Sequence, residues 1–105
     1  AAVEFIRQFK VDFAVMGVSG IDTDGSLLDY DFREVSVSRA IMAASRRSIL
    51  VADAMKFSRS APVRIGHIAD LDFFVTDRAP EGEFSRICAE NDVTVELVVD
   101  AGKEQ

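Results

Sequence analysis

Residues 12–25 read Asp12-Phe13-Ala14-Val15-Met16-Gly17-Val18-Ser19-Gly20-Ile21-Asp22-Thr23-Asp24-Gly25. The first seven are a short apolar run closed by glycine, which predicts a buried strand. Ser19 to Asp31 is rich in Gly and Asp and reads as a loop. Upstream, Ala2, Phe5, Ile6 and Phe9 recur at helical spacing and predict a helix over 2–10. Downstream, residues 32–47 return to that spacing. Val37, Ile41 and Ala44 line one face, and Arg46-Arg47 fall in the last turn, at the negative end of the dipole. A second strand is expected over Ser48–Asp53, and a polar loop over Lys56–Pro62. Val63–Gly66 reads as extended and His67–Asp70 as one helical turn. Leu71–Asp77 is a third strand. A helix beginning near Pro80 has Glu81 and Glu83 in its first turn and Phe84, Ile87 and Cys88 on its apolar face. Val93–Val99 is the last strand and residues 100–105 a polar tail. Apolar strands alternating with helices predict an α/β domain with a mainly parallel sheet flanked by helices and right-handed crossovers.

Composition bounds the function. A chain of 105 residues is one domain, with 49% hydrophobic and 29% charged residues, the balance of a folded soluble protein. The net charge is −6, so the chain as a whole repels DNA; Arg46-Arg47 and Lys56/Arg59/Arg64 are candidates for a local basic patch. One cysteine excludes an internal disulfide or a cysteine zinc cluster, and suits a reducing, cytoplasmic setting. No apolar run approaches the roughly 18 residues that span a bilayer, and no secretory signal opens the chain. The start, Ala1-Ala2-Val3, lacks Met and reads as a piece of a longer protein.

In a parallel sheet, ligands bind beyond the carboxyl ends of the strands. Two loops leave such ends with chemistry to offer. Gly17–Gly25 carries glycines that let backbone approach a ligand, although a bare glycine loop is more often only a turn. As a calcium loop it fails: with Gly25 at position 6, Gly20 takes position 1 and Asp31 position 12. Asp53-Ala54-Met55-Lys56-Phe57 ends a strand with an acid and presents a lysine, a compact charge suited to phosphate. His67 is the single histidine, with no second ligand for a metal. Cys88 reads as a buried thiol and Phe73-Phe74 as core. Ser19 lacks a Gly-x-Ser-x-Gly elbow. No cofactor is expected, and the residues alone reach an α/β domain that binds a small anion at one edge.

The stretch Gly17–Val35, with Gly-Ser-Leu-Leu at 25–28 and Asp29-Tyr30-Asp31-Phe32, followed by Val51-Ala52-Asp53-Ala54-Met55-Lys56-Phe57-Ser58-Arg59, resembles the sensor domain of DeoR-type bacterial transcriptional repressors. Within that family it is nearest to members that govern glycerol 3-phosphate metabolism, and the likeness runs from residue 1 to about 98. The resemblance implies a fold similar to sugar-phosphate isomerases and glucosamine-phosphate deaminases. It implies a phosphorylated sugar or polyol as effector, homo-oligomers, and operator DNA bound through an N-terminal helix-turn-helix outside this chain, with no membrane partner. Residues 1–105 would then be the C-terminal part of the sensor domain, with a phosphate-holding loop also outside it. Gly17, Gly20, Asp22, Asp24, Gly25, Asp53 and Lys56 match the family's ligand-facing positions, and Glu34 matches an acid at the start of a helix. The family usually reads Asp-His-Ser-Lys-Phe-Gly where this chain has Asp53 to Ser58, and often Lys at the position of Ser38. No catalytic residue is expected. The alternatives are an isomerase or deaminase fragment and a purely oligomerising domain.

Overall fold

In a computed structural model, which describes residues 2–98, four strands form an all-parallel sheet. They are β1 (Val11–Met16), β4 (Ser45–Val51), β6 (Phe73–Thr76) and β7 (Thr94–Leu97), side by side in that order. Helix α2 (Phe32–Ala44) lies in the connection from β1 to β4, and α3 (Gly82–Glu90) in that from β6 to β7. The expected α/β class and mainly parallel sheet are therefore present. α1 is Ala2–Ile6, packed on α2. The last residue of the final expected strand, Val99, and the tail at 100–105 lie outside the described residues.

A second sheet replaces the expected loop at 19–31. β2 (Gly20–Ile21) and β3 (Ser26–Asp29) form a hairpin, and β3 pairs antiparallel with β5 (Val63–His67). Two and four residues are too few to show a period of two, so only tertiary pairing reveals them as strands. Ile21, Leu27 and Leu28 are buried by that pairing.

Other boundaries also shift. The helix expected over 32–47 ends at Ala44, and Arg46-Arg47 belong to β4, where Val11 aligns with Ser45 and Phe13 with Arg47. Ser45 closes the helix: its N–H and its Oγ–H both donate to the Met42 carbonyl, the latter at 2.8 Å. Sheet pairing outweighs the dipole preference of two arginines, which is worth only about 0.3–1 kcal/mol. The face of α2 turned to the core is Val35 and Ala40 rather than Val37, Ile41 and Ala44. The first helix stops at Ile6, leaving Phe5 and Phe9 exposed and edge-stacked at 5.1 Å. α3 begins at Gly82, two residues later than Pro80.

The core lies between one face of the parallel sheet, α2, α3 and the small sheet. It gathers Leu50, Phe74, Val35, Ile21, Leu27, Ile65, Ile68 and Ile87. Cys88 is buried there, and burial pushes its thiol pKa up, keeping it protonated. The other face of the parallel sheet is open among the described residues: Phe13 is 56% exposed, Val15 65% and Val51 49%. Parallel strands ordinarily bury both faces.

Candidate functional site

The carboxyl ends of β1 and β4 are neighbours, since Met16 aligns with Leu50. The chain leaves both on the same edge. A Cβ added to Gly17 would meet the Val51 carbonyl at 3.8 Å, so the first loop starts against the end of β4. The loops then interlock. Ile21 bridges Phe57, and the Ser58 N–H donates to the Ile21 carbonyl at 2.7 Å. Gly20 is required here by close approach: a Cβ would lie 2.5 Å from the Arg59 carbonyl oxygen.

After β4, pairing with β6 continues one residue, through the Ala52 N–H and the Val75 carbonyl at 3.0 Å. The chain then turns in a 3₁₀ segment, Ala54–Lys56. Asp53 caps it, accepting from the Met55 N–H at 2.9 Å. Asp77, at the end of β6, accepts from the Ala54 N–H at 2.7 Å. Phe57 anchors the turn: its ring centroid is 5.6 Å from that of Phe74 and 4.6 Å from that of Phe84. Lys56 is thereby held half-buried on the edge. Among the described residues the ion pairs are Arg7–Glu4, Arg46–Asp12, Arg86–Glu83 and Arg86–Glu90, so none engages the Lys56 ammonium. A cavity of about 220 Å³ opens between the strand ends, lined by Val51, Ala52, Asp53, Val75, Thr76 and Asp77.

Gly17, Gly20, Asp53 and Lys56 thus share one edge. Asp22 follows Ile21 directly, next to the bridge to Phe57, whereas Asp24 and Gly25 lie farther along the turn. The tip of the turn after β2 lands beside His67 and Ile68, on the approach to the amino end of β6. The Ile68 N–H donates to the Gly25 carbonyl at 2.8 Å, and His67 Nε2 lies 2.7 Å from the Asp24 carbonyl. Each member has a structural task. Asp22 Oδ1 accepts from the Thr23 N–H, and Asp24 Oδ1 from the Ser26 N–H, both at 2.8 Å. Gly25 has φ +91°, and a Cβ there would sit 2.8 Å from the His67 ring. The Ser26 amide and hydroxyl hold the Asp24 carboxyl below its usual pKa. The turn therefore keeps that stabilisation above the ordinary carboxylate range and loses it only as pH falls through the lowered value. Glu34 is exposed in the first turn of α2, where Asp31 caps the Arg33 and Glu34 amides at 2.8 and 3.3 Å.

Asp77 and Asp29 escaped the sequence reading. Asp29 Oδ1 accepts from the Ser19 hydroxyl at 2.7 Å, bracing the first loop onto β3. The readable signal for Asp77 was its place: an acid just past an apolar strand, as Asp53 is. Ser58 holds φ +62°, a conformation that costs a non-glycine residue about 1–2 kcal/mol. Ser58→Gly is expected to stabilise the domain by about 0.5–1 kcal/mol after glycine's own entropic cost. Thermal denaturation checks this through a rise of roughly 2–8 °C; an unchanged or lower midpoint removes the strain argument.

The model of the DeoR C terminal sensor domain family matches residues 1–78. The chain is 54% identical over 82 residues to the glycerol-3-phosphate regulon repressor of Haemophilus influenzae, covering 78% of this chain and 32% of that protein. It is 42% identical over 97 residues to the protein of that name in Escherichia coli, covering 92% and 38%. A third relative, the Escherichia coli HTH-type transcriptional repressor CsqR, is 38% identical over 80 residues, covering 76% and 31%. The chain spans about a third of the length of these relatives. The relatives are transcriptional regulators, and the chain belongs to the DeoR C-terminal sensor domain family.

Proposed function

We propose that this domain is the effector-sensing part of a bacterial transcriptional repressor, and that glycerol 3-phosphate or a related polyol phosphate binds at the carboxyl edge of its parallel sheet. The observation that carries this reading is the interlock of the Gly17–Ile21 loop with the turn that presents Lys56, through the Ser58–Ile21 hydrogen bond and the Gly20–Arg59 contact. Lys56 supplies an ammonium for ligand oxygens, and Asp53 keeps one carboxylate oxygen beyond its cap bond to accept ligand hydroxyls. The names of the Haemophilus influenzae and Escherichia coli relatives, glycerol-3-phosphate regulon repressors, support a glycerol 3-phosphate effector. Asp24 and Gly25 act in this reading by holding the first loop rather than by touching the ligand, while Asp22, directly after the Ile21–Phe57 bridge, stays with the site.

Effector binding can lower operator affinity only by its preference for the DNA-free state. The DNA contact is made by a helix-turn-helix elsewhere in the intact repressor, and the sensor domains associate as a homo-oligomer. A gel-shift titration of the intact repressor with glycerol 3-phosphate tests the whole scheme. Release of operator is the expected result, and operator affinity unchanged at saturating effector rejects it.

Lys56→Ala is expected to weaken effector binding by about 1.5–3 kcal/mol, the value of a hydrogen bond to a charged group. The fold is expected to persist, because Lys56 has no partner among the described ion pairs. Calorimetry on the intact protein reads the difference; wild-type affinity in the mutant assigns the ligand elsewhere.

A further inference from the structure

The turn that presents Lys56 is closed almost entirely from within. The Met55 N–H goes to Asp53 Oδ1, the Lys56 N–H to the Asp53 carbonyl at 3.1 Å, and the Phe57 N–H to the Ala54 carbonyl at 3.2 Å. These bonds fix the shape of the turn but not its place on the sheet. Of the four amides from Ala54 to Phe57, only that of Ala54 is bonded from outside the turn, and its partner is the Asp77 carboxylate. Asp77 follows β6 directly, and β6 is a rigid base: Phe74 is fully buried, and the strand is paired on both sides. Phe57 docks the far end of the turn on the ring of Phe74. Phe74, Phe84 and the Ser58–Ile21 bond therefore seat the turn's exit, and the Asp77 carboxylate pins its entrance, two residues past the last ladder bond, Ala52 to Val75.

We propose that Asp77 is a positioning residue of the effector site, which sets where Lys56 stands by holding the Ala54 amide. The inference rests on the reading that Lys56 contacts the effector, and adds a residue outside the stretches that carry the family resemblance. A charge-assisted bond from a carboxylate to an amide is short and strong. Groups that orient a binding residue in this way commonly change affinity by tenfold or more when removed. Asp77 is exposed, so its loss leaves no cavity and opens no core.

The test uses the intact repressor as wild type, Asp77→Ala, Asp77→Asn and Lys56→Ala. Calorimetry measures glycerol 3-phosphate affinity, circular dichroism the melting temperature, and NMR the exchange rate of the Ala54 amide. The expected result is that Asp77→Ala weakens binding about tenfold and exposes the Ala54 amide to exchange while the melting temperature stays near wild type. Asp77→Asn keeps a carbonyl oxygen that accepts the same N–H, and is expected to restore both binding and protection. Wild-type affinity in Asp77→Ala, with Lys56→Ala weakened, overturns the role of Asp77 and leaves the site reading standing. Equal loss in the Ala and Asn variants also overturns it, since the carboxylate charge would then act directly. Lys56→Ala binding as tightly as wild type overturns the site reading, and the positioning role with it.

Discussion

Phe74→Ala is expected to cost about 3–5 kcal/mol of stability, the usual price of removing a buried phenylalanine. Phe74 is the largest fully buried side chain in the domain. It sits on β6 between β4 and β7, and the Phe57 ring packs edge-on against it at 5.6 Å. A domain of this size has only about 5–15 kcal/mol in total, so the loss is a large share of it. The effect also reaches the edge of the sheet, because Phe57 follows Lys56 and loses its seat. Urea denaturation of the intact protein measures the first effect as a lower midpoint at unchanged slope. Effector affinity measured well below the new midpoint reads the second. A stability cost under about 1 kcal/mol would show that the neighbouring side chains collapse into the space.

Gly20→Val carries the other large effect, and its cause is backbone rather than side chain. The added Cβ would stand 2.5 Å from the Arg59 carbonyl oxygen and 2.9 Å from its carbon. A flexible side chain could turn aside, but a carbonyl in a chain already bonded at Ser58 must move with its neighbours. The expected cost is about 3 kcal/mol, the upper part of the range for inserting bulk into a packed site. The two loops should part first, losing the Ser58–Ile21 hydrogen bond and the Ile21–Phe57 bridge. Exchange of the Ser58 amide, followed by NMR, separates this local opening from global unfolding. An unchanged Ser58 amide and an unchanged melting temperature together would mean that the loops do not depend on that close approach.

The parallel sheet was legible because buried parallel strands write themselves as apolar runs. Ala14-Val15-Met16, Ile49-Leu50-Val51 and Phe73-Phe74-Val75 all lie in strands. The small sheet was not legible, because β2 holds two residues and β3 meets its second partner, β5, only some 40 residues on. Arg46-Arg47 misled for a different reason: they satisfied a rule about helix ends at a place where strand pairing was stronger. At the edge, Asp53 and Lys56 could be found from the strand end and the lysine after it. Asp24 looked equivalent to them in sequence, since nothing in a glycine-rich run says which way a hairpin points. That direction follows from the His67 and Ile68 contacts, more than 40 residues away along the chain.

Every neighbour in the large sheet is parallel, so no two of its strands can be joined by a tight turn. Val11 must wait for Ser45, Ile49 for Phe73, and Phe73 for Thr94. The chain pays for closing loops of roughly 20–35 residues before any of these pairings rewards it. Folding should therefore be slow for a domain of this length, and late on the ribosome. The edge proposed to hold the effector cannot exist in a nascent chain until β6 has left the exit tunnel and Asp77 has reached the Ala54 amide.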